Sequence, residues 1–336
     1  LKKIYPYVTI PPSAFEQYTI AFYNLENLFD IHRDTNKLDG HFTTSGRNQW
    51  NKARYHTKLK NLSDAISKIG FERTGNPPAI IGVAEVENAQ VLKDLIAQPK
   101  LAAFNYKFIH YNSPDERGID VALLYRPTVF EVEESAPIYV HVETELGIVE
   151  ATRDILYVKG VLKGMPLHLY VNHWPSRRDG YENTNHKRVT IARQLIAQVN
   201  KIDIENDRVL LELPVAKSKN VILLGDFNDD PDNDSILKEL VPHGFSNVTE
   251  PLRKYHRGSL SHNFKWNLFD QILVSESLHN DVLGALYFYE ADIFDDIMLR
   301  NWKGKYRGQP SRTFVGGHYH GGYSDHFPVY AVLRRN

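Results

Sequence analysis

The stretch Val221-Ile222-Leu223-Leu224-Gly225-Asp226-Phe227-Asn228-Asp229-Asp230 runs straight from apolar residues into a carboxylate and amide cluster. A short, β-branched-rich apolar run of this kind reads as a buried strand rather than a helix. The change at Gly225 places Asp226 and Asn228 at the strand's end, where a sheet presents side chains into a cleft while its interior remains packed. Similar apolar runs occur at residues 19–23, 79–84, 119–125, 167–171, 269–274 and 328–333, and each reads as a buried strand. Between them, Leu59, Leu62, Ile66 and Ile69, and later Ile191, Leu195, Ile196 and Val199, recur in the steps of amphipathic helices that cover sheets.

The order of these elements is not a strict alternation of strand and helix. Residues 106–169 read as consecutive strands joined by turns, which favours mixed or antiparallel sheets over a doubly wound fold. Proline- and glycine-rich stretches are local, at 74–78, 304–310 and 316–322, so residues 1–336 are expected to form a single domain. With 42% hydrophobic and 24% charged residues, the chain is able to bury a sizeable core.

No run of about 18 apolar residues is present, so no transmembrane segment is expected. Leu1-Lys2-Lys3 is not followed by the apolar core of a signal peptide, while the missing initiator Met points to a processed start and favours a secreted or cell-envelope protein over a cytoplasmic one. No protein partner is implied. The absence of cysteine leaves carboxylate, amide and imidazole as metal ligands, which points to a hard ion. A net charge of -1 provides no global basic field, so contact with a nucleic acid has to come from a local patch.

Chemistry-bearing residues collect at the ends of the apolar runs. They are Asn24 and Glu26, Glu85, Asn172-His173, Asp226 and Asn228, with Asp270 inside the next run and Asp325-His326 before the last. Each has a plain structural explanation when taken alone, because Asn and Asp cap turns and Asn-His satisfies backbone groups at a strand end. Glu85 is harder to explain in that way, since an unpaired carboxylate at a buried strand end is costly. Together the six clusters supply what phosphoester hydrolysis needs: oxygens for Mg²⁺ or Mn²⁺, a carboxylate to orient water, and imidazoles for the phosphate oxygens.

In chain order Asn24-Leu25-Glu26, Glu85, Asn172-His173, Gly225-Asp226-Phe227-Asn228, Phe269-Asp270-Gln271-Ile272-Leu273 and Ser324-Asp325-His326-Phe327-Pro328-Val329 resemble the signature motifs of the endonuclease/exonuclease/phosphatase superfamily, which is deoxyribonuclease-I-like in fold. Residues 23–30 and 117–127 look like a bacterial branch described as extracellular nucleases. The resemblance implies a four-layer α/β sandwich, two packed mixed β-sheets flanked by helices, with the active site at one rim. It implies Glu85 as the principal metal ligand, Glu26 and Asp325 as further ligands, and Asn24 as a support of the metal site. It also implies Asp226 orienting or deprotonating the attacking water, Asn228 holding the phosphate or nucleophile, and His326 stabilising the phosphate in a tautomer fixed by Asp270. At the position of His173, the abasic-site endonuclease branch carries a tyrosine, and histidine is shared with deoxyribonuclease-I-like and inositol-phosphatase-like branches.

The function expected from these residues is a divalent-metal-dependent nuclease or phosphodiesterase, its substrate a nucleic acid. The rival is a phosphatase or lipid phosphodiesterase acting on inositol phosphates or sphingomyelin-like substrates, because substrate choice resides in variable loops. A catalytically inactive binding module on the same scaffold is the alternative of another class. Arg177 and Arg178 are candidate phosphate-binding residues. Residues 300–314 interleave Arg300, Lys303, Lys305, Arg307 and Arg312 with Trp302, Tyr306 and Phe314, a candidate basic and aromatic wall. Trp50, Trp174 and Trp266 read as packing residues, and His318 and His320 as loop residues without a metal.

Overall fold

The computed structural model describes residues 16–144, 147–206 and 219–335. Leu1, Lys2 and Lys3, read above against a signal peptide, lie outside them. Among the described residues, two six-stranded sheets form the middle of the molecule. Their strands, labelled in chain order, are β1 (Glu16–Leu28), β2 (Ile80–Val86), β3 (Lys107–His110), β4 (Asp120–Tyr125), β5 (Phe130–Ile138), β6 (Ile155–Leu162), β7 (Met165–His173), β8 (Val221–Asp226), β9 (Phe245–Asn247), β10 (Asp270–Ser275), β11 (Leu286–Ile293) and β12 (Val329–Arg335). The first sheet has the order β11-β12-β1-β2-β4-β3, the second β9-β10-β8-β7-β6-β5.

Each sheet contains one parallel pair, β1 with β2 and β7 with β8, and its other pairs are antiparallel. A parallel neighbour requires a long crossover. The two crossovers carry α1 (Lys52–Ile66) and α3 (Tyr181–Asn206), while α2 (Ala89–Ile96) follows β2. Asn51 caps α1 by accepting a hydrogen bond from the Arg54 amide. Ile69, assigned to the same apolar stripe from the sequence, falls in the turn after α1 and remains buried.

The two-residue period of β8 accounts for the layering. Ile222 and Leu224 belong to the core between the sheets, whereas Val221 and Leu223 pack with Ile191, Leu195 and Val199 of α3 on the outer face. Gly82 on β2 marks a close approach between the sheets: a Cβ there would sit 3.0 Å from Val171 and 3.1 Å from Leu224. This is the expected four-layer α/β sandwich of two mixed sheets flanked by helices. Trp50 and Trp174 are fully buried, and Trp266 stacks on Phe327 with ring centroids 6.0 Å apart. Among the described residues, no helix is long and apolar enough to cross a membrane.

Strand register brings the polar run-ends to one rim. Asp226 pairs with His173 on one side and Asp270 on the other, and in the first sheet Asn24 pairs with Ala84, the residue before Glu85.

Candidate active site

Backbone geometry at this rim departs from ordinary strand. Glu26 (φ 49°), Asn27 (φ 53°), Glu85 (φ 62°) and Asn228 (φ 50°) all adopt left-handed conformations, and register shifts interrupt β1 after Asn24 and β2 after Ala84. Such conformations cost free energy for non-glycine residues and are retained where the surrounding structure over-determines them. Here they turn the carboxylates of β1 and β2 out of the strand alternation, and the Asn27 amide donates to Glu85 Oε2 at 2.8 Å.

Asp226 lies at the centre. Its Oδ2 receives a hydrogen bond from Asn24 Nδ2 at 3.1 Å and lies 3.8 Å from His173 Nε2 and 4.0 Å from His326 Nε2; its Oδ1 accepts from the Asn228 amide at 3.0 Å. Burial, and then the nearby Asp270 carboxylate, push Asp226 up to about 7.

The two histidines are held in opposite states. His326 Nδ1 lies 2.6 Å from Asp270 Oδ2, and Nε2 lies 3.9 Å from Asp325 Oδ1. Burial alone would lower His326, but the carboxylates of Asp270, Asp325 and Asp226 outweigh it and raise the imidazole well above its ordinary value. His173 is held well below that value by burial, reinforced by Arg153, Arg117 and His326. A charged imidazole therefore faces a neutral one across Asp226. Asp226, Asp270 and His326 also have potential ligand atoms within 4.8 Å of one another. Within that trio His326 Nδ1 is already bound to Asp270 Oδ2, which leaves Nε2 directed toward Asp226 Oδ2 at 4.0 Å.

The remaining carboxylates are Glu26, Glu85 and Asp325, with Glu85 Oε1 3.9 Å from His173 Nε2. Burial, followed by repulsion from Asp325, pushes Glu26 up to about 7; its Oε2 accepts from the Thr313 amide at 2.6 Å. Burial would raise Asp325, but His326 and Arg312 outweigh it and lower the group, with Arg312 donating to Oδ2 at 2.7 Å. Glu26, Glu85 and Asp325 offer oxygen donors only, and Glu26 and Asp325 repel each other. That donor set fits a hard divalent cation.

A family model described as the endonuclease/exonuclease/phosphatase family matches residues 19–335. The chain belongs to that family. Comparison with curated protein sequences finds no match. Among solved structures, an endonuclease/exonuclease/phosphatase family protein of Bacteroides thetaiotaomicron is 17% identical, with 96% of this chain and 99% of that one covered and a TM-score of 0.60. A mannosyl-6-phosphatase of the same organism is 17% identical over 94% of this chain and 99% of its own, with a TM-score of 0.57. D. rerio TDP2 complexed with single strand DNA product is 17% identical over 94% and 98%, with a TM-score of 0.55. These likenesses show the fold. Members of the endonuclease/exonuclease/phosphatase family are metal-dependent phosphoesterases, and this chain has the family's phosphoesterase fold.

Within this family member, the structure gathers Asn24, Glu26, Glu85, His173, Asp226, Asn228, Asp270, Asp325 and His326 at one rim, and treats three of the sequence candidates differently. Asn24 spends its amide on neighbours: Nδ2 holds Asp226, and Oδ1 accepts from the Glu26 backbone at 2.9 Å. Arg177 donates to the Asn228 carbonyl and to Asp229 Oδ1, each at 2.7 Å, and to Asn233, and it lies over the Phe269 ring at 4.5 Å. Its donors brace the turn after β8. Arg178 is exposed and lines a cleft of about 460 Å³ together with Glu26 and Arg47.

Lys58, Arg117 and Arg153 were not singled out from the sequence. Lys58, buried on the apolar face of α1, donates at 2.7 Å to both Thr313 Oγ1 and the Tyr323 carbonyl and lies 3.7 Å from Glu26 Oε2. A lysine between Tyr55 and Leu62 on a helix's apolar stripe was the available signal. Arg117 donates to Asn27 Oδ1 at 2.7 Å, and Arg153 holds the carbonyls of His173 and Trp174 at 3.2 and 2.6 Å. Nothing in their spacing marks either one.

Proposed function

We propose that this family member hydrolyses phosphodiesters as a nuclease or phosphodiesterase dependent on Mg²⁺ or Mn²⁺. The observation that carries the reading is the convergence of Asn24, His173 and His326 on Asp226 Oδ2, at 3.1, 3.8 and 4.0 Å. Glu85 and Glu26, with Asp325, would hold the cation, which when bound supplies neutralisation of the charge developing on phosphate oxygens. Asp226 accepts the proton of the attacking water, a role suited to a carboxylate whose affinity for protons is raised toward neutrality. Asn24 fixes the carboxylate's orientation. Asn228, with Nδ2 bound to the Trp174 carbonyl at 2.9 Å, presents its remaining oxygen to the nucleophile. His326, kept charged by Asp270, donates from Nε2 to a phosphate oxygen, and neutral His173 offers a second donor without adding charge.

The likeness of residues 23–30 and 117–127 to the extracellular nuclease branch supports a nucleic-acid substrate, as does the solved neighbour with a single-stranded DNA product. A phosphatase reading is favoured by one observation. Arg312 pairs with Asp325 at 2.7 Å and Arg300 with Asp295 at 2.8 Å, so part of the positive charge of the stretch at 300–314 is already matched by the protein's own carboxylates. An inactive module is disfavoured by the presence of every group the reaction needs. We also infer that residues 1–336 form one domain, supported by the span of the family match.

The test is a panel with Mg²⁺ or Mn²⁺ comparing plasmid DNA, RNA, inositol phosphates, sphingomyelin and a bis-aryl phosphodiester. Turnover of the nucleic acids and the diester supports the reading. Release of phosphate from the inositol phosphates alone would replace it with the phosphatase, and no turnover of any substrate would overturn both.

A further inference from the structure

Beside Asp325, a cleft of about 190 Å³ opens between the hairpin over residues 260–267 and the loop over residues 300–315. Three features distinguish it. Phe264 stands at the hairpin tip with φ 64°, following Asn263 at φ 47°. The left-handed pair is ordinary for Asn-Gly but costly for an aromatic residue at the second position. The Phe264 ring is 62% exposed, so burial does not offset that cost. It faces Tyr306 of the opposite loop, with planes within 9° and centroids 5.9 Å apart. Ser261 Oγ, on the cleft wall, is buried without a hydrogen-bond partner among the described residues. The rest of the wall carries the amides of Asn263 and Gln309 beside His262, Arg312 and Asp325, while Asn301 Nδ2 donates to the Pro310 carbonyl at 2.8 Å.

A strained, exposed aromatic at the hairpin tip, a second aromatic ring on the facing loop, an orphaned hydroxyl and wall amides suit a ring with flat faces and hydrogen-bonding edges. The cleft is smaller than the roughly 300–1,000 Å³ of a pocket for a whole drug-sized ligand, so it takes one ring. We propose that it is the subsite for the organic part of the substrate and receives one sugar or nucleobase ring joined to the phosphate handled at His326. This rests on the phosphoesterase reading above and narrows its substrate.

The test is calorimetric binding in an Asp226→Asn background, which suppresses turnover, using adenosine 5′-monophosphate, glucose 6-phosphate and glycerol 3-phosphate as probes with Mg²⁺ present. At least one ring-bearing probe should bind more tightly than the ringless one, and which probe does so tells the nucleobase from the sugar. Phe264→Asn retains a residue that tolerates the left-handed turn and removes the ring; it and Tyr306→Ala should each weaken that probe about tenfold, the scale of a lost stacking contact, and leave glycerol 3-phosphate unchanged. Equal affinity for ringed and ringless probes, or unchanged affinity in both variants with melting curves like the parent, overturns the subsite. Turnover of a bis-aryl phosphodiester by the unmutated protein, measured alongside, fails on its own if the phosphoesterase reading is wrong.

Discussion

His326 Nδ1 and Asp270 Oδ2 meet at 2.6 Å beneath the rim, both residues buried. A charge-assisted bond of this length in a dry site orients the ring and keeps it charged. Asp270→Asn and His326→Ala should each lower turnover by at least about a hundredfold. Circular dichroism and melting curves should show a folded protein in both cases. Near-parental turnover in either folded variant removes that residue from the reaction.

Asp226 is raised to about 7 by burial and then by Asp270. A base must be ionised to work, so kcat/KM at saturating metal should climb as pH rises through about 7. His326, raised well above its ordinary value, places the loss of its charge on the alkaline side. Asp226→Asn should remove the acid limb along with most of the activity. A pH–rate profile that is flat between pH 5 and 8 would contradict the assignment of Asp226 as the base.

Glu26 is raised from 4.5 to about 7 by burial and then by Asp325. The folded, metal-free protein therefore holds a proton there that the unfolded chain has released, and Glu26 makes folding less favourable as pH climbs from 4.5 through about 7. A divalent ion bound to the ionised carboxylate offsets this. Mg²⁺ should raise Tm more at pH 8 than at pH 6, and excess chelator should abolish turnover. Equal Tm shifts at both values, or turnover surviving analytically confirmed metal loss, would place the metal elsewhere or dispense with it.

Lys58 is the cation nearest Glu26 in the interior, 3.7 Å away. Removing one partner of a buried ion pair strands the other, at a cost of about 3–5 kcal/mol. Urea unfolding of Lys58→Met at pH 8, above the value of about 7 to which Glu26 is raised, should show a loss of that order in the absence of metal, partly recovered on adding Mg²⁺. A loss confined to a few tenths of that size would mean that the pair contributes little.

Lys303, Lys305 and Arg307 are exposed and, unlike Arg300 and Arg312, form no ion pair among the described residues. If a polymer runs along this wall, changing all three to Gln should weaken its binding and flatten the dependence of log K on log salt by roughly 0.7 to 0.9 per lost phosphate contact. A small diester should turn over as before. An unchanged salt slope would show that polymer does not run there.

The apolar runs at 19–23, 79–84 and 221–224 were readable as buried strands because a strand's interior needs nothing but apolar side chains. The polar residues that end them named the chemistry for the same local reason. The families of apolar positions on α1 and α3 were legible from helical period, as was the mixed character of the sheets from the consecutive strands at 106–169.

What pairing and packing decided is how these groups treat one another. Asp226 lies beside His173 and Asp270 because β8 sits between β7 and β10, and nothing in a linear string sets the order of strands in a sheet. The left-handed turns at Glu26 and Glu85 are imposed by tertiary contacts on residues without intrinsic preference for them, whereas Asn228 is of a type that tolerates that conformation. Arg177 looked like a phosphate ligand because its charge is all that a sequence displays; the fold commits its donors to Asn228, Asp229 and Asn233. The opposite shifts of His173 and His326 follow from their surroundings: burial, then Arg153 and Arg117, lowers His173, whereas at His326 the carboxylates of Asp270, Asp325 and Asp226 outweigh burial. Residue types were thus set by sequence, while their electrostatics depended on distances across two sheets, because a charge's environment is a property of three dimensions.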